Sequence, residues 1–156
     1  MMTALEYALG LGNIGYRYAK KTVKRILPKT NVYLYEWNPH MITALAIACD
    51  TVIIPIPLDN PLYSSKAANK LLMSWRMGLP TVVSTTPAYV REMQKAGINN
   101  MSCSSTEEWV GVLERLMEDE SAREQSGNKG YAYVTEEYSS ERILSKWDEI
   151  FATVLG

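Results

Sequence analysis

An α/β protein built on a buried parallel sheet is the fold class this chain predicts, and three observations predict it. Short runs rich in Val, Ile and Tyr alternate with longer stretches of helical apolar spacing. The run Thr51-Val-Ile-Ile-Pro-Ile56 is apolar without alternation, as a strand covered on both faces must be. Helix-starting and helix-stopping residues fall between the runs at the right places. Alternation of this kind lays strands parallel, with helices as the crossovers. Five strands are expected: Ala4–Leu9, Asn31–Glu36, Thr51–Ile56, Thr81–Ser84 and Asn100–Cys103.

The helices between them are marked at both ends. Asn38 with Pro39, and Thr86 with Pro87, pair a side-chain cap with a proline whose missing N–H costs nothing at the first helical position. Ser105-x-x-Glu108 is a capping box. Gly78 and Gly97 suit the stops. A last helix over about Glu141–Leu155 gathers Ile143, Leu144, Trp147, Ile150, Phe151 and Val154 on one face, which needs a partner surface.

One domain spanning 1–156 is the default for a chain of 156 residues with 47% hydrophobic and 21% charged content. Net charge −1 and a pI near 5.9 exclude a broad electrostatic footprint for nucleic acid or anionic membrane, so any bound phosphate must be held locally. Cys49 and Cys103 have neither disulfide-scaffold density nor metal-ligand spacing; they are expected to be buried free thiols in a reducing cytoplasm. The apolar run Ala44–Cys49 is far too short to span a bilayer, and the opening residues lack a basic stretch. No metal is expected.

In a parallel sheet each helix that follows a strand presents its N-terminus at the strands' carboxyl edge, where ligands bind. Four loops converge there: Gly10–Gly15, Trp37–His40, Pro57–Lys66 and Ser84–Tyr89. A helix N-terminus offers unpaired N–H groups and roughly half a positive charge, which suits a pyrophosphate. Ser64, Ser65 and Lys66 add hydroxyls and a cation where a helix is expected to open, and Lys70 follows one turn later. The alternative is an ordinary capping serine beside solvated lysines. Trp37, at the end of a strand, is either a platform for a nucleobase or simply packed.

The order strand, Ser/Lys loop, helix, then Gly78-Leu-Pro-Thr-Val-Val-Ser84 resembles the donor-binding half of GT-B glycosyltransferases. The resemblance runs from about Asn31 to Leu155. It takes in Pro87-Ala-Tyr-Val-Arg-Glu92, Trp109–Asp119, Arg123, Gly130-Tyr131, Tyr138-Ser139 and Ser145-Lys-Trp-Asp-Glu-Ile-Phe151. It implies a Rossmann-like, three-layer αβα domain. Its five-stranded sheet would have the order 2-1-3-4-5 and be followed by C-terminal helices. It further implies a UDP- or GDP-type nucleotide-diphosphate sugar as donor substrate, with no required cofactor and a hexosyl transfer to an acceptor. Ser64, Ser65, Lys66, Asn69 and Lys70 would hold the nucleotide sugar, with Gly10, Gly12, Trp37 and Thr86 completing the site. The family often carries two glutamates eight positions apart in this region; here Ser65 and Met73 stand at those positions, while Lys66, Asn69 and Lys70 match a Lys-x-x-Asn-Lys variant.

No side chain is identified as a general base, and the family's N-terminal acceptor domain has no room in this chain. The expectation is a truncated donor half that binds but is not competent alone, and whose C-terminal apolar stripe, with the acceptor domain missing, either meets a second copy in a homodimer or collapses back onto the sheet's own helices. A second reading rests on Gly10-x-Gly12-x-x-Gly15 with Glu36 about twenty residues on, the pattern of an NAD-type dinucleotide-binding turn.

Overall fold

The computed structural model describes residues 38–155. The chain divides after Leu45, and every element below except the first lies in the unit Ala46–Gly156. Helix α1 (Pro39–Ile47) crosses the division. It is followed by β1 (Val52–Ile54), α2 (Pro61–Ser64), α3 (Asn69–Arg76), β2 (Thr81–Ser84) and α4 (Pro87–Lys95). A 3-10 turn (Asn99–Met101) then leads into β3 (Ser102–Cys103), α5 (Thr106–Glu118), α6 (Glu120–Glu137) and α7 (Ser140–Leu155).

The three strands form a parallel sheet in the order β1-β2-β3. Val52 pairs with Thr81 and Ile54 with Val83, while Val83 and Ser84 pair with Ser102 and Cys103. This corrects the expected five-stranded sheet: the described chain is mostly helical, with three strands. The expected strands Ala4–Leu9 and Asn31–Glu36, and with them the order 2-1-3-4-5, lie outside the described residues.

The strands are also shorter than the apolar runs suggest, for local reasons. Pro55 cannot donate to a ladder, which stops β1 after Ile54. The 3-10 turn takes Asn100 and Met101, and the cap at Ser105 follows close behind, leaving β3 two residues. Only β2, flanked on both sides, is buried at all four positions.

The core gathers around that strand. Leu71 and Trp75 of α3, Val82 and Val83 of β2, Met93 of α4 and Val134 of α6 are fully enclosed. Burying each such side chain contributes about 1.5–3 kcal/mol. Gly78 and Gly97 both take positive φ, 73° and 67°, where a side chain would be strained, and each ends a helix.

Helix α6 has no apolar stripe of its own and is seated by small residues. A Cβ on Gly127 would collide with the Gly78 carbonyl oxygen, and one on Gly130 would meet the Trp75 ring. The absence of side chains lets α6 approach the carboxyl end of α3 closely. Tyr133 then packs edge-on to Trp75, ring centres 5.8 Å apart. Trp75 Nε1 is buried there without a hydrogen-bond partner.

Candidate functional site

The loops after the three strands meet at the carboxyl edge of the sheet, and short hydrogen bonds fix them. Ile56 N–H donates to Ser84 Oγ at 2.7 Å, which ties the loop leaving β1 to the last residue of β2. Thr85 N–H donates to the Cys103 carbonyl at 3.1 Å, joining β2's exit to β3. Thr86 is buried, and its Oγ1 accepts from Tyr89 N–H at 3.4 Å as the cap of α4, with Pro87 at the first helical position. On the third loop Glu108 Oε2 accepts from Ser104 N–H at 2.6 Å and from Ser104 Oγ at 2.8 Å, and Ser105 Oγ accepts from Glu108 N–H. Those backbone and side-chain donors hold the Glu108 carboxyl below its ordinary range.

The first loop is built differently from its expected form. Asn60 caps α2 by accepting from Leu62 N–H at 3.0 Å, and Pro61 opens that helix. Ser64 therefore ends α2 and Ser65 is its C-cap. Their hydroxyls donate back to the carbonyls of Pro61 and Leu62, both at 3.3 Å. The serines close one short helix instead of opening the next. Residues Asn60-Pro61 carried the signal for this, being the same cap-plus-proline pair as Asn38-Pro39.

Helix α3 opens at Asn69, and its N-cap is Ala68, which provides no side-chain cap. By contrast α2, α4, α5 and α6 are capped by the side chains of Asn60, Thr86, Ser105 and Asp119. No acidic residue lies in α3's first turn. What lies there is positive. Lys70 sits in that turn, and its ammonium is held below its usual range, first by partial burial and then by the nearby charge of Lys66. Lys66 itself rests over the Tyr63 ring, 4.5 Å from the centroid. Lys66 thus stands close to the amino end of α3, where unpaired N–H groups and the helix dipole favour an anion.

Of the expected site residues, Ser64, Ser65, Lys66, Asn69 and Lys70 fall on the continuous stretch from the end of α2 into α3, and Thr86 on the adjoining loop after β2. The Thr86 hydroxyl is occupied by capping. Gly10, Gly12 and Trp37, and Gly15 and Glu36 of the alternative turn, lie outside the described residues. Cys103 is buried as expected, whereas Cys49 is exposed.

A second polar cluster, unforeseen from the sequence, lies away from this edge. The carboxyl of Glu92, on α4, is almost wholly buried and accepts from Tyr133 Oη at 2.6 Å, Tyr138 Oη at 2.9 Å and Arg91 Nε at 3.0 Å. Burial alone would raise its pKa, but those three donors outweigh it and hold the carboxyl below the ordinary value. Burial and the Glu92 charge push both tyrosines up. Every oxygen is used within the cluster, so it joins α4 to α6 and is not a free acid or base.

Among the described residues no helix is long and apolar enough to cross a membrane, and no group of three or more His, Cys, Asp or Glu side chains is placed to hold a metal. No family model, curated protein or solved structure matches this chain.

Proposed function

We propose that the chain binds a nucleoside diphosphate, as the diphosphate part of a nucleotide sugar, at the amino end of α3. It is the donor-binding domain of a glycosyltransferase of the GT-B type and works with an acceptor-binding region in sugar transfer. The observation that carries the reading is the α3 entrance: no side-chain cap, no acid in the first turn, and Lys66 standing near it over the Tyr63 ring. An anion there would accept from the first-turn N–H groups and from the Lys66 ammonium. The resemblance of Asp50–Thr86 to the donor half of those transferases supplies the sugar-nucleotide identity.

In this reading Lys66 and Lys70 contact phosphate oxygens, Asn69 adds its amide, and Ser64 and Ser65 shape the loop. Ser84 Oγ, by holding Ile56 N–H, keeps the loop's path constant. A thermal-shift panel of UDP, GDP, their sugar conjugates, the matching free nucleosides and NAD(H) tests the proposal, because a ligand that binds only the folded state raises its apparent stability. Diphosphates and nucleotide sugars are expected to stabilise the chain and free nucleosides to do so less. Stabilisation by NAD(H) alone would replace this reading with the dinucleotide-turn one.

A further inference from the structure

A chain of aromatic rings leads from the core to the surface. Trp75 is fully enclosed, and Tyr133 packs edge-on to it with ring centres 5.8 Å apart. Tyr138 packs edge-on to Tyr133 in turn, at 6.2 Å, and both tyrosines are half-buried, so the chain ends within reach of solvent. One carboxylate oxygen serves both phenols. Glu92 Oε2 accepts from Tyr133 Oη at 2.6 Å and from Tyr138 Oη at 2.9 Å, while Oε1 accepts from Arg91 Nε. At the enclosed end the Trp75 N–H has no acceptor, and α6 closes over it at Gly130.

We propose that Trp75, Tyr133 and Tyr138 are a relay that carries an oxidising equivalent out of the core, with Glu92 as its proton acceptor. An indole that loses an electron is a cation, and in water it sheds its N–H proton and becomes a milder oxidant. Trp75 has nowhere to send that proton, so its cation keeps its full oxidising power. A phenol yields an electron readily only if its proton leaves with it, which needs a base within hydrogen-bond reach. Glu92 is that base for both tyrosines. At rest it takes no proton, because burial and the Glu92 charge keep both phenols protonated. Loss of an electron reverses this, since an oxidised phenol is a strong acid.

The oxidant is a small one-electron radical of the carbonate or nitrogen dioxide class, which takes an electron from Trp75 and leaves as its anion. Tyr133 then gives an electron to the indole cation and its Oη proton to Glu92 Oε2, leaving a neutral indole, a phenoxyl radical and a carboxylic acid. Tyr138 next gives its electron to the Tyr133 radical. Glu92 returns the first proton to Tyr133 and receives that of Tyr138, so the carboxylic acid is unchanged and the radical stands at the surface. A thiol reduces it there by donating a hydrogen atom, and Glu92 releases its proton to water. The side chains spared are Met93, Met101 and Cys103, buried in the same core. The relay rests on this cluster alone and stands apart from the ligand site.

Flash photolysis tests it in a chain carrying Trp37→Phe, Trp109→Phe and Trp147→Phe, where Trp75 is the one indole left. An ultraviolet pulse at the red edge of the indole band, with nitrous oxide and tert-butanol to remove the ejected electron, makes the Trp75 radical without any reagent reaching it. Its absorption should pass into that of a phenoxyl radical at a rate independent of protein concentration and slower in deuterium oxide. The chain has ten tyrosines, so the assignment is read from Tyr133→Phe, which should abolish the conversion. Glu92→Gln should slow it by roughly a hundredfold, the lower end of what a positioned proton acceptor contributes. Decay of the indole radical without a phenoxyl, a conversion that Tyr133→Phe leaves intact, or equal rates in the two waters overturns the proposal. The solvent comparison decides on its own if Glu92→Gln does not fold. Should the three-Phe chain not fold, the wild type is exposed to flash-generated carbonate radicals with a nitroso spin trap, and peptide mass spectrometry compares Tyr138 with Tyr131, which is 50% exposed and oxidised directly. Tyr133→Phe should lower the Tyr138 adduct relative to Tyr131; an unchanged ratio overturns the relay.

Discussion

Lys66 and Glu92 show how differently a charge behaves when it stands in water and when it is enclosed. Lys66 is exposed, so Lys66→Ala should leave the melting temperature nearly unchanged. Its loss should instead weaken a nucleoside diphosphate by roughly 1.5–3 kcal/mol, about ten- to a hundredfold in affinity, with little effect on the free nucleoside. Calorimetry showing equal losses for both ligands would remove Lys66 from the phosphate. For Glu92 the effect is on the fold. Its pKa in the folded chain lies below the ordinary 4.5, so the ionised carboxylate stabilises the native state at all pH values above 4.5. That contribution is lost as pH falls from 4.5 through the depressed folded value. Urea titrations should therefore show stability falling in this acid window, and Tyr133→Phe, which removes the shortest of the three donors, should reduce both neutral-pH stability and the steepness of the fall. An unchanged acid limb would mean that Tyr133 is not what holds the carboxylate.

Helices are joined here by glycine as much as by apolar stripes. Gly127→Ala puts a methyl into the Gly78 carbonyl and must push α6 off α3, a cost of about 1–3 kcal/mol or more. Gly111, in the middle of α5, has open space around it, so Gly111→Ala should stabilise by roughly 0.5–1 kcal/mol through backbone entropy. Denaturant midpoints moving in opposite directions for the two variants would confirm the close crossing. Not all of this organisation could be read along the chain. Thr86-Pro87, Ser105-x-x-Glu108 and the two helix-ending glycines act through neighbours in sequence, and local chemistry made them legible. The serine pair was misread because a serine at the end of one helix looks like the start of the next. The Glu92 cluster escaped notice because its members are 41 and 46 residues apart, and a glycine chosen for close approach carries no periodic signal. At the candidate site the lysines were legible as charges, but the lack of a cap on α3 was not, since it depends on where α2 ends.

At the scale of the whole described chain, three short strands supply a frame and the helices supply most of the cohesion. Trp75 ties the interior together, lying between the sheet and α6 with its indole N–H unmatched. It also makes the chain optically self-reporting. An indole in dry surroundings with no hydrogen-bonding partner in its excited state emits at short wavelength, and a small quencher cannot reach it. The Trp147 ring is half in water and should emit at longer wavelength, open to acrylamide. With Trp37 and Trp109 replaced by Phe, so that these are the two of the four tryptophans left, the spectrum should have a red component that is quenched first and a blue component that survives until α6 leaves α3. Light can therefore distinguish the loosening of that one seat from every event at the surface of α7.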